Sequence, residues 1–186
     1  MSKGIVILSK IKSVYTGHIY SVQDAAKEIE NGMVGHKGDL VTGEREVYEF
    51  VQPTTASIAE QALILMANPE VNYEEYKRTD ASMLNYALPT GEVGRAYEVD
   101  RDDVFEVSND MVDAIGAEVV EGNFVVMQNG SNLLKEVAAP AGTEVFVGKI
   151  TGKRNIGTLT YAGQAGGAAG IGNVIELVEI EVIKNR

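Results

Sequence analysis

The chain has 186 residues, 45% hydrophobic and 23% charged, which is the composition of a folded globular protein rather than of a fibre or a disordered segment. It contains no Cys and only two histidines, His18 and His36, which excludes disulfides and thiol chemistry and makes a histidine-based metal or acid–base centre improbable. The net charge of −11 argues against a nucleic-acid partner, because phosphate binding needs clustered Lys and Arg.

The negative charge is concentrated in the middle of the chain. Residues 41–121 carry 18 acidic and 5 basic side chains, whereas residues 1–40 and 122–186 are each close to neutral. A solvated acidic surface explains this distribution most simply. The alternative is an oriented protein, in which a near-neutral face docks and the acidic face points to water.

The first elements are a short strand and a short helix. Residues 5–8 form an apolar run that predicts a strand, and the run is too short for a signal peptide, so we expect no export. Ser21 can cap a helix that ends at Asn31-Gly32, which predicts a helix over residues 21–31. We expect His18 and His36, which lack the spacing of zinc ligands, to be surface or capping residues.

Strand patterns follow in the middle of the chain. Residues 44–50 alternate charged and bulky apolar side chains, as a half-buried strand does. Ser57 and Glu60 have the spacing of a capping box, but the apolar run at residues 62–67 favours a buried strand.

The second half of the chain predicts hairpins. Residues 95–99 and 104–107 flank an acidic turn and suggest one hairpin, and Asn129-Gly130 follows a strand pattern and suggests a second. Further strands are predicted at residues 144–150 and 178–182. The sequence therefore predicts a single domain over residues 1–186 that is mainly β, an antiparallel β-barrel or sandwich-like domain with one or two short helices.

The uncharged, glycine-rich segment is predicted to be a loop over residues 157–173. Its glycines lack the spacing of a dinucleotide-binding fingerprint, and the element after it resembles a strand rather than a helix. It is also too polar for a membrane span. No catalytic, cofactor-binding or metal site is predicted, and we expect no cofactor, no membrane and no nucleic acid among its partners.

Five short stretches between about residues 30 and 130 form a recognisable series: Asn31-Gly32, Gly43-Glu-Arg-Glu-Val-Tyr48, Asn68-Pro-Glu-Val-Asn-Tyr73, Gly94-Arg-Ala-Tyr97 and Asp103-Val-Phe-Glu-Val-Ser108. Taken in order, they resemble the auxiliary head proteins of tailed bacteriophages, which decorate or cement the capsid. It implies a non-enzymatic virion structural protein that is made in the host cytoplasm and added to the capsid exterior. The implied partner is the major capsid protein. We also expect a homo-oligomer, a trimer or dimer, because several lattice contacts made at once strengthen binding.

Two other functions stay open. One is a carbohydrate-binding β module, which the virion could also display. Such a module would stack sugars on aromatic side chains, but the chain has no Trp, and packing in the core or at its rim is the simpler role for its tyrosines. The tyrosines in question are Tyr15, Tyr20, Tyr73, Tyr76 and Tyr86. A carboxylate-dependent hydrolase is the weakest alternative, since an acidic chain always contains carboxylate pairs.

The candidate capsid or subunit interface comes from the two near-neutral ends of the chain. Docking there avoids burying unpaired carboxylates. The simpler alternative for the N-terminal run is that it belongs to the protein's own sheet. The candidate residues are Ile5, Val6, Ile7, Leu8, Gly166, Gly167 and Ile171.

Overall fold

The computed structural model describes residues 3–69, 86–160 and 170–186, with the backbone alone for residues 158–160 and 170–173. In these ranges the helices are α1 (Ser13–Thr16), α2 (Thr55–Glu60) and a 3-10 turn (Asn109–Met111). The strands are β1 (Val6–Lys10), β2 (Ile19–Gln23), β3 (Val34–Leu40), β4 (Val47–Val51), β5 (Ile64–Met66), β6 (Gly94–Glu98), β7 (Val104–Ser108), β8 (Val112–Asp113), β9 (Phe124–Met127), β10 (Leu134–Val137), β11 (Phe146–Thr160) and β12 (Gly170–Asn185).

These strands form a seven-stranded sheet and a closed five-stranded barrel. The spatial order of the sheet is β1-β7-β12-β11-β9-β10-β8, and that of the barrel is β2-β4-β3-β5-β6. Neighbours are antiparallel except for the parallel pairs β2 with β4 and β10 with β8. The prediction of a mainly β fold, barrel or sandwich-like with one or two short helices, is confirmed.

One hydrophobic cluster contains side chains from both units. Val34, Leu63 and Leu65 of the barrel side belong to the same buried cluster as Phe105 and Ile180 of the sheet. A second, smaller cluster fills the barrel and includes Val22, Phe50, Ile64, Met66 and Ala96. The outer face of the barrel therefore packs on the sheet, while its inner face has a core of its own.

A buried amide also joins the two units. Asn185, at the end of β12, accepts a hydrogen bond from the Leu63 N–H at 2.8 Å and donates to the carbonyls of Leu63 and Val99 at 3.1 and 2.6 Å. A buried polar group in this position is stabilising only when its partners are present, and here they are.

A buried carboxylate fixes the loop between β8 and β9. Glu136 on β10 accepts hydrogen bonds from the N–H groups of Ile115 and Val120 at 3.0 and 2.9 Å, and from the Asn123 amide at 2.6 Å. Burial by itself raises the pKa of Glu136, but these three donors outweigh it and hold that pKa below its usual range.

Several predicted strands are confirmed. The run at residues 62–67 contains β5, residues 44–50 overlap β4, and Asn129-Gly130 lies in the hairpin of β9 and β10, where Gly130 has a φ of 71°. A short helix, α2, does precede β5, but its reciprocal capping box is formed by Thr54 and Ser57 and not by Ser57 and Glu60.

The helix predicted over residues 21–31 is wrong. Its first residues belong to β2, and the rest is a bend that ends in an isolated bridge between Ile29 and Leu88. The Asp24 side chain accepts from the N–H groups of Ala26 and Lys27, which satisfies locally the donors that a helix would have used. Closing the barrel then buries Val22 and Ile29, so tertiary packing outweighs a short helix.

The hairpin predicted across residues 95–107 is also wrong. Both strands exist, but β6 closes the barrel against β2 while β7 enters the sheet between β1 and β12. Between them Asp102 and Asp103 exchange backbone hydrogen bonds with Val182 of β12, at 2.9 and 2.8 Å. The acidic turn is therefore a crossing point from the barrel to the sheet.

His36 is not a surface residue. It has no exposed surface, its Nδ1 lies 3.0 Å from the Ala62 carbonyl, and no hydrogen-bond partner of its Nε2 is found in the described part of the chain. Burial lowers the pKa of His36, and the hydrogen bond to Ala62 opposes this only in part. The alternation of β3 places His36 on the same face as the core residue Val34, which explains why it is buried.

The prediction of a loop over residues 157–173 is wrong at both ends of that range. β11 continues to Thr160 and β12 begins at Gly170, with Thr160 paired to Gly170 and Leu159 to Ile171. Residues 161–169 lie outside the described ranges. Residues flanking the glycine-rich segment are thus strand residues that extend one long hairpin.

Candidate functional site

The predicted N-terminal interface residues lie in the protein's own sheet. Val6, Ile7 and Leu8 pair with β7, opposite residues 105–107, and Ile5 is fully buried. Val6 and Leu8 pack against the shared hydrophobic core, whereas Ile7 lies on the opposite face of the sheet by strand alternation. This segment is therefore a strand of the protein's own sheet and not a free docking arm.

β1 nevertheless offers a strand edge, since it is the outermost strand of its sheet in the described ranges. The Ser108 N–H donates to the Ile5 carbonyl at 2.9 Å, so the alternating pattern of an antiparallel pair directs the backbone groups of Val6 and Leu8 away from β7. A bulge between Leu8 and Lys10 limits how far a straight partner strand could follow this edge.

The other predicted interface lies on the hairpin of β11 and β12, which have 15 and 16 residues. β9 pairs with β11 at Gly148 and Lys149, and β7 pairs with β12 over residues 177–181. Beyond these contacts, residues 155–160 and 170–176 pair only with each other among the described strands. We call this two-stranded extension the ribbon. Its six residues beyond Arg154 on β11 extend about 20 Å at the usual rise per strand residue.

Two ion pairs hold the base of the ribbon. The Arg154 guanidinium donates to Glu106 Oε2 from Nε at 2.8 Å and from Nη2 at 2.6 Å, and the Glu106 side chain is only 7% exposed. The Lys153 ammonium lies 3.0 Å from Glu176 across the two ribbon strands. These contacts raise the pKa of Arg154 through its hydrogen bonds to Glu106, and the pKa of Lys153 through its hydrogen bond to Glu176.

The ribbon itself has no ionisable charge between Arg154 and Glu176. Ile156 and Ile175 are opposite each other and half-buried, and Val174 is 51% exposed. Ile171 is in the paired part of β12, and Gly166 and Gly167 lie outside the described residues. The ribbon therefore carries exposed apolar surface at its base and is bounded by neutralised charges.

The sequence did not indicate the role of Glu106 and Arg154, which are 48 residues apart. Both lie in alternating strand patterns, and charged residues in such strands usually face water. Only the pairing of β7 with β12, and of β12 with β11, brings the two side chains together.

Comparison of the chain with protein-family models, with curated proteins and with solved structures gives no match. The resemblance to capsid decoration proteins therefore stays a prediction. In the described residues no helix is long and apolar enough to cross a membrane.

Proposed function

We propose that this chain is a virion structural protein that binds the outer surface of a tailed-phage capsid and stabilises or decorates it. The observation that carries the proposal is the ribbon. A two-stranded hairpin is marginally stable in water without a third strand or a packed face. A ribbon that extends past its own sheet gains that support when it lies against a neighbouring subunit.

The charge distribution supports docking through the ribbon. The ribbon has no charged residue other than Glu176, and the charges at its base are paired within the chain. Several acidic residues of the barrel segments are exposed, among them Glu44, Glu49 and Glu92. Docking through the ribbon leaves these carboxylates in water and avoids the cost of burying them without partners.

The proposed partners are the major capsid protein and further copies of this chain, as a dimer or trimer. The ribbon and the edge of β1 offer two kinds of contact, an apolar surface and unpaired backbone groups. Weak contacts of both kinds gain strength when one oligomer engages several lattice sites together.

The test is rebinding of the purified protein to shells of the source phage assembled without it, measured by co-sedimentation. Val174→Asp places a charge on the ribbon, and Ile183→Asp is the matched control at an exposed position of the same strand, where Ile183 is 40% exposed. We expect wild type and the control to bind, and the ribbon variant to lose about tenfold or more in affinity, which corresponds to about 1.4 kcal/mol.

Two results would contradict the proposal. Wild-type protein that stays in the supernatant with shells contradicts capsid binding itself. Equal binding by Val174→Asp and Ile183→Asp, with both variants folded by circular dichroism, removes the ribbon from the interface.

A further inference from the structure

The barrel has a cavity of about 310 Å³ at one end, within the volume range of small-molecule sites. We call it the barrel-mouth cavity. Its walls come from β2, β3, β6 and the α2–β5 segment: Tyr20, Lys37, Gln61, Ala62, Ile64 and Glu98.

Strand alternation explains why polar residues meet here. Tyr20 is on the same face of β2 as the barrel-core residue Val22, and Glu98 is on the same face of β6 as Ala96. Ile64 is opposite Glu98 in the pairing of β5 with β6. The inward faces of these strands are apolar along the barrel and become polar at the end where the cavity opens.

A hydrogen-bonded carboxylate forms one wall of the cavity. The Tyr20 hydroxyl donates to Glu98 Oε2 at 2.8 Å, and the Arg186 guanidinium approaches Glu98 Oε1 at 3.5 Å. Burial and the hydrogen bond to Glu98 raise the pKa of Tyr20 to about 12. Tyr20 therefore remains a donor at neutral pH, and the carboxylate is held in one orientation with acceptor capacity left over.

A cation also lines the cavity. The Lys37 ammonium is 4.5 Å from the ring centre of Tyr20 and 4.8 Å from that of Tyr48, and the two rings meet edge to face at 5.9 Å. The aromatic faces thus already hold a cation supplied by the chain itself. Ala62 and Ile64 add apolar surface to the wall.

We propose that the barrel-mouth cavity binds a neutral saccharide, as a monosaccharide or as the terminal residue of a glycan. Sugar hydroxyls donate to Glu98 and accept from Lys37, while the C–H faces of the ring pack on Ala62 and Ile64. The proposal goes beyond capsid binding and does not depend on it.

Charge selects this ligand class over others. A cationic ligand is repelled by Lys37 and Arg186, and its place over the tyrosine rings is occupied by Lys37. A simple anion is attracted by Lys37 but repelled by the Glu98 carboxylate that lines the same cavity. A wholly apolar ligand would cover Glu98 and Lys37 without replacing their hydrogen bonds to water, which costs free energy. A neutral molecule with both donors and acceptors satisfies the two ends of the cavity together.

The test is titration of the ¹⁵N-labelled full chain, followed by amide chemical shifts. The saccharide probes are the methyl glycosides of glucose, galactose, mannose and N-acetylglucosamine, and the charged probes are inorganic phosphate and tetramethylammonium. We expect at least one glycoside to give saturable shifts at residues that line the cavity, and neither charged probe to do so.

Two substitutions with one matched control locate the site. Glu98→Gln keeps the shape but removes the carboxylate, and we expect it to weaken glycoside binding by about tenfold or more, as loss of a hydrogen bond to a charged group does. Tyr20→Phe removes only the hydroxyl that orients Glu98 and should also weaken binding. Tyr15→Phe makes the same chemical change at a residue that is 92% exposed and outside the cavity, and it should bind as wild type does.

The results separate clearly. Saturable shifts that weaken in Glu98→Gln and Tyr20→Phe but not in Tyr15→Phe support the saccharide site. The proposal is overturned if no glycoside gives saturable shifts at the cavity, if a charged probe binds there instead, or if folded Glu98→Gln binds glycosides as wild type does. Shell rebinding is measured separately, so failure of either proposal leaves the other to its own test.

Discussion

Gly148 lies at the point where β11 is paired on both sides, with Val182 of β12 and Val125 of β9. A Cβ on Gly148 would lie 2.7 Å from Cγ2 of Ile180 and 2.9 Å from Cγ2 of Val125. Ile180 and Val125 are fully buried in the shared core and have branched side chains with restricted rotamers. The substitution Gly148→Ala therefore forces atoms apart inside a close-packed region.

Overpacking of this kind costs about 1–3 kcal/mol. A loss of about 2 kcal/mol lowers the melting temperature of a chain of this size by about 4–8 °C. Gly152, on the same strand, provides the matched control because a Cβ there has no atom within 4 Å and its φ is not positive. Gly152→Ala restricts the unfolded chain and is expected to be neutral or to stabilise by up to about 1 kcal/mol.

The measurement is urea denaturation of the two variants and wild type at neutral pH, followed by circular dichroism. The expected order of stability is Gly152→Ala at or above wild type, with Gly148→Ala clearly lowest. Equal stability of the two variants would show that β11 does not pass between Ile180 and Val125 as described, and it would refute the reasoning.

Two further predictions concern buried ionisable groups. Glu136→Gln turns an amide toward backbone donors and is expected to destabilise by about 1–3 kcal/mol at pH 7. Because the pKa of Glu136 is lower in the folded protein, its contribution to stability is present above the unfolded pKa and disappears as the pH falls through the folded pKa. The difference in urea midpoint between wild type and Glu136→Gln should therefore close in acid. A difference that stays constant with pH would contradict this. The folded pKa of His36 is also lowered, so protonation favours the unfolded chain, and wild type should lose stability relative to His36→Gln as pH falls below about 6.5, by at most about 1.4 kcal/mol per pH unit. If the difference in urea midpoint between wild type and His36→Gln does not change from pH 7.5 to 5, His36 is not held neutral in the folded protein.

The two proposed surfaces belong to different parts of the fold. The ribbon extends from the seven-stranded sheet, and the barrel-mouth cavity opens from the five-stranded barrel. If both proposals hold, the protein docks on the capsid through the seven-stranded sheet and leaves a saccharide-binding cavity exposed on the barrel. This combination is a proposal that the shell and glycoside experiments test independently.

Local patterns in the sequence determined most of the strands. Alternation marked β4 and the end of β12, an uninterrupted apolar run marked β5, and Asn129-Gly130 marked the turn between β9 and β10. These signals work because each depends on contacts or dihedral preferences within a few residues. The capping box predicted at Ser57 and Glu60 was misplaced, because the structure forms it with Thr54 and Ser57, three residues earlier.

Only the tertiary structure decided how the strands are shared between two units. Residues 95–107 have a hairpin pattern, yet β6 and β7 pair with different neighbours. These pairings bury Ala96 in the barrel core and Phe105 and Val107 in the shared core. The helix pattern at residues 21–31 failed for a similar reason, since barrel closure buries Val22 and Ile29.

The candidate sites show the same division. The sequence shows that residues 155–175 carry no charge. That this segment extends beyond β7 and β9 depends on how the strands are paired, which only the structure shows. Tyr20 and Glu98 are 78 residues apart and meet only because β2 and β6 close the barrel. No local sequence pattern predicts this contact. The free energy that brings the two side chains together comes from burying the barrel core and not from the polar groups themselves.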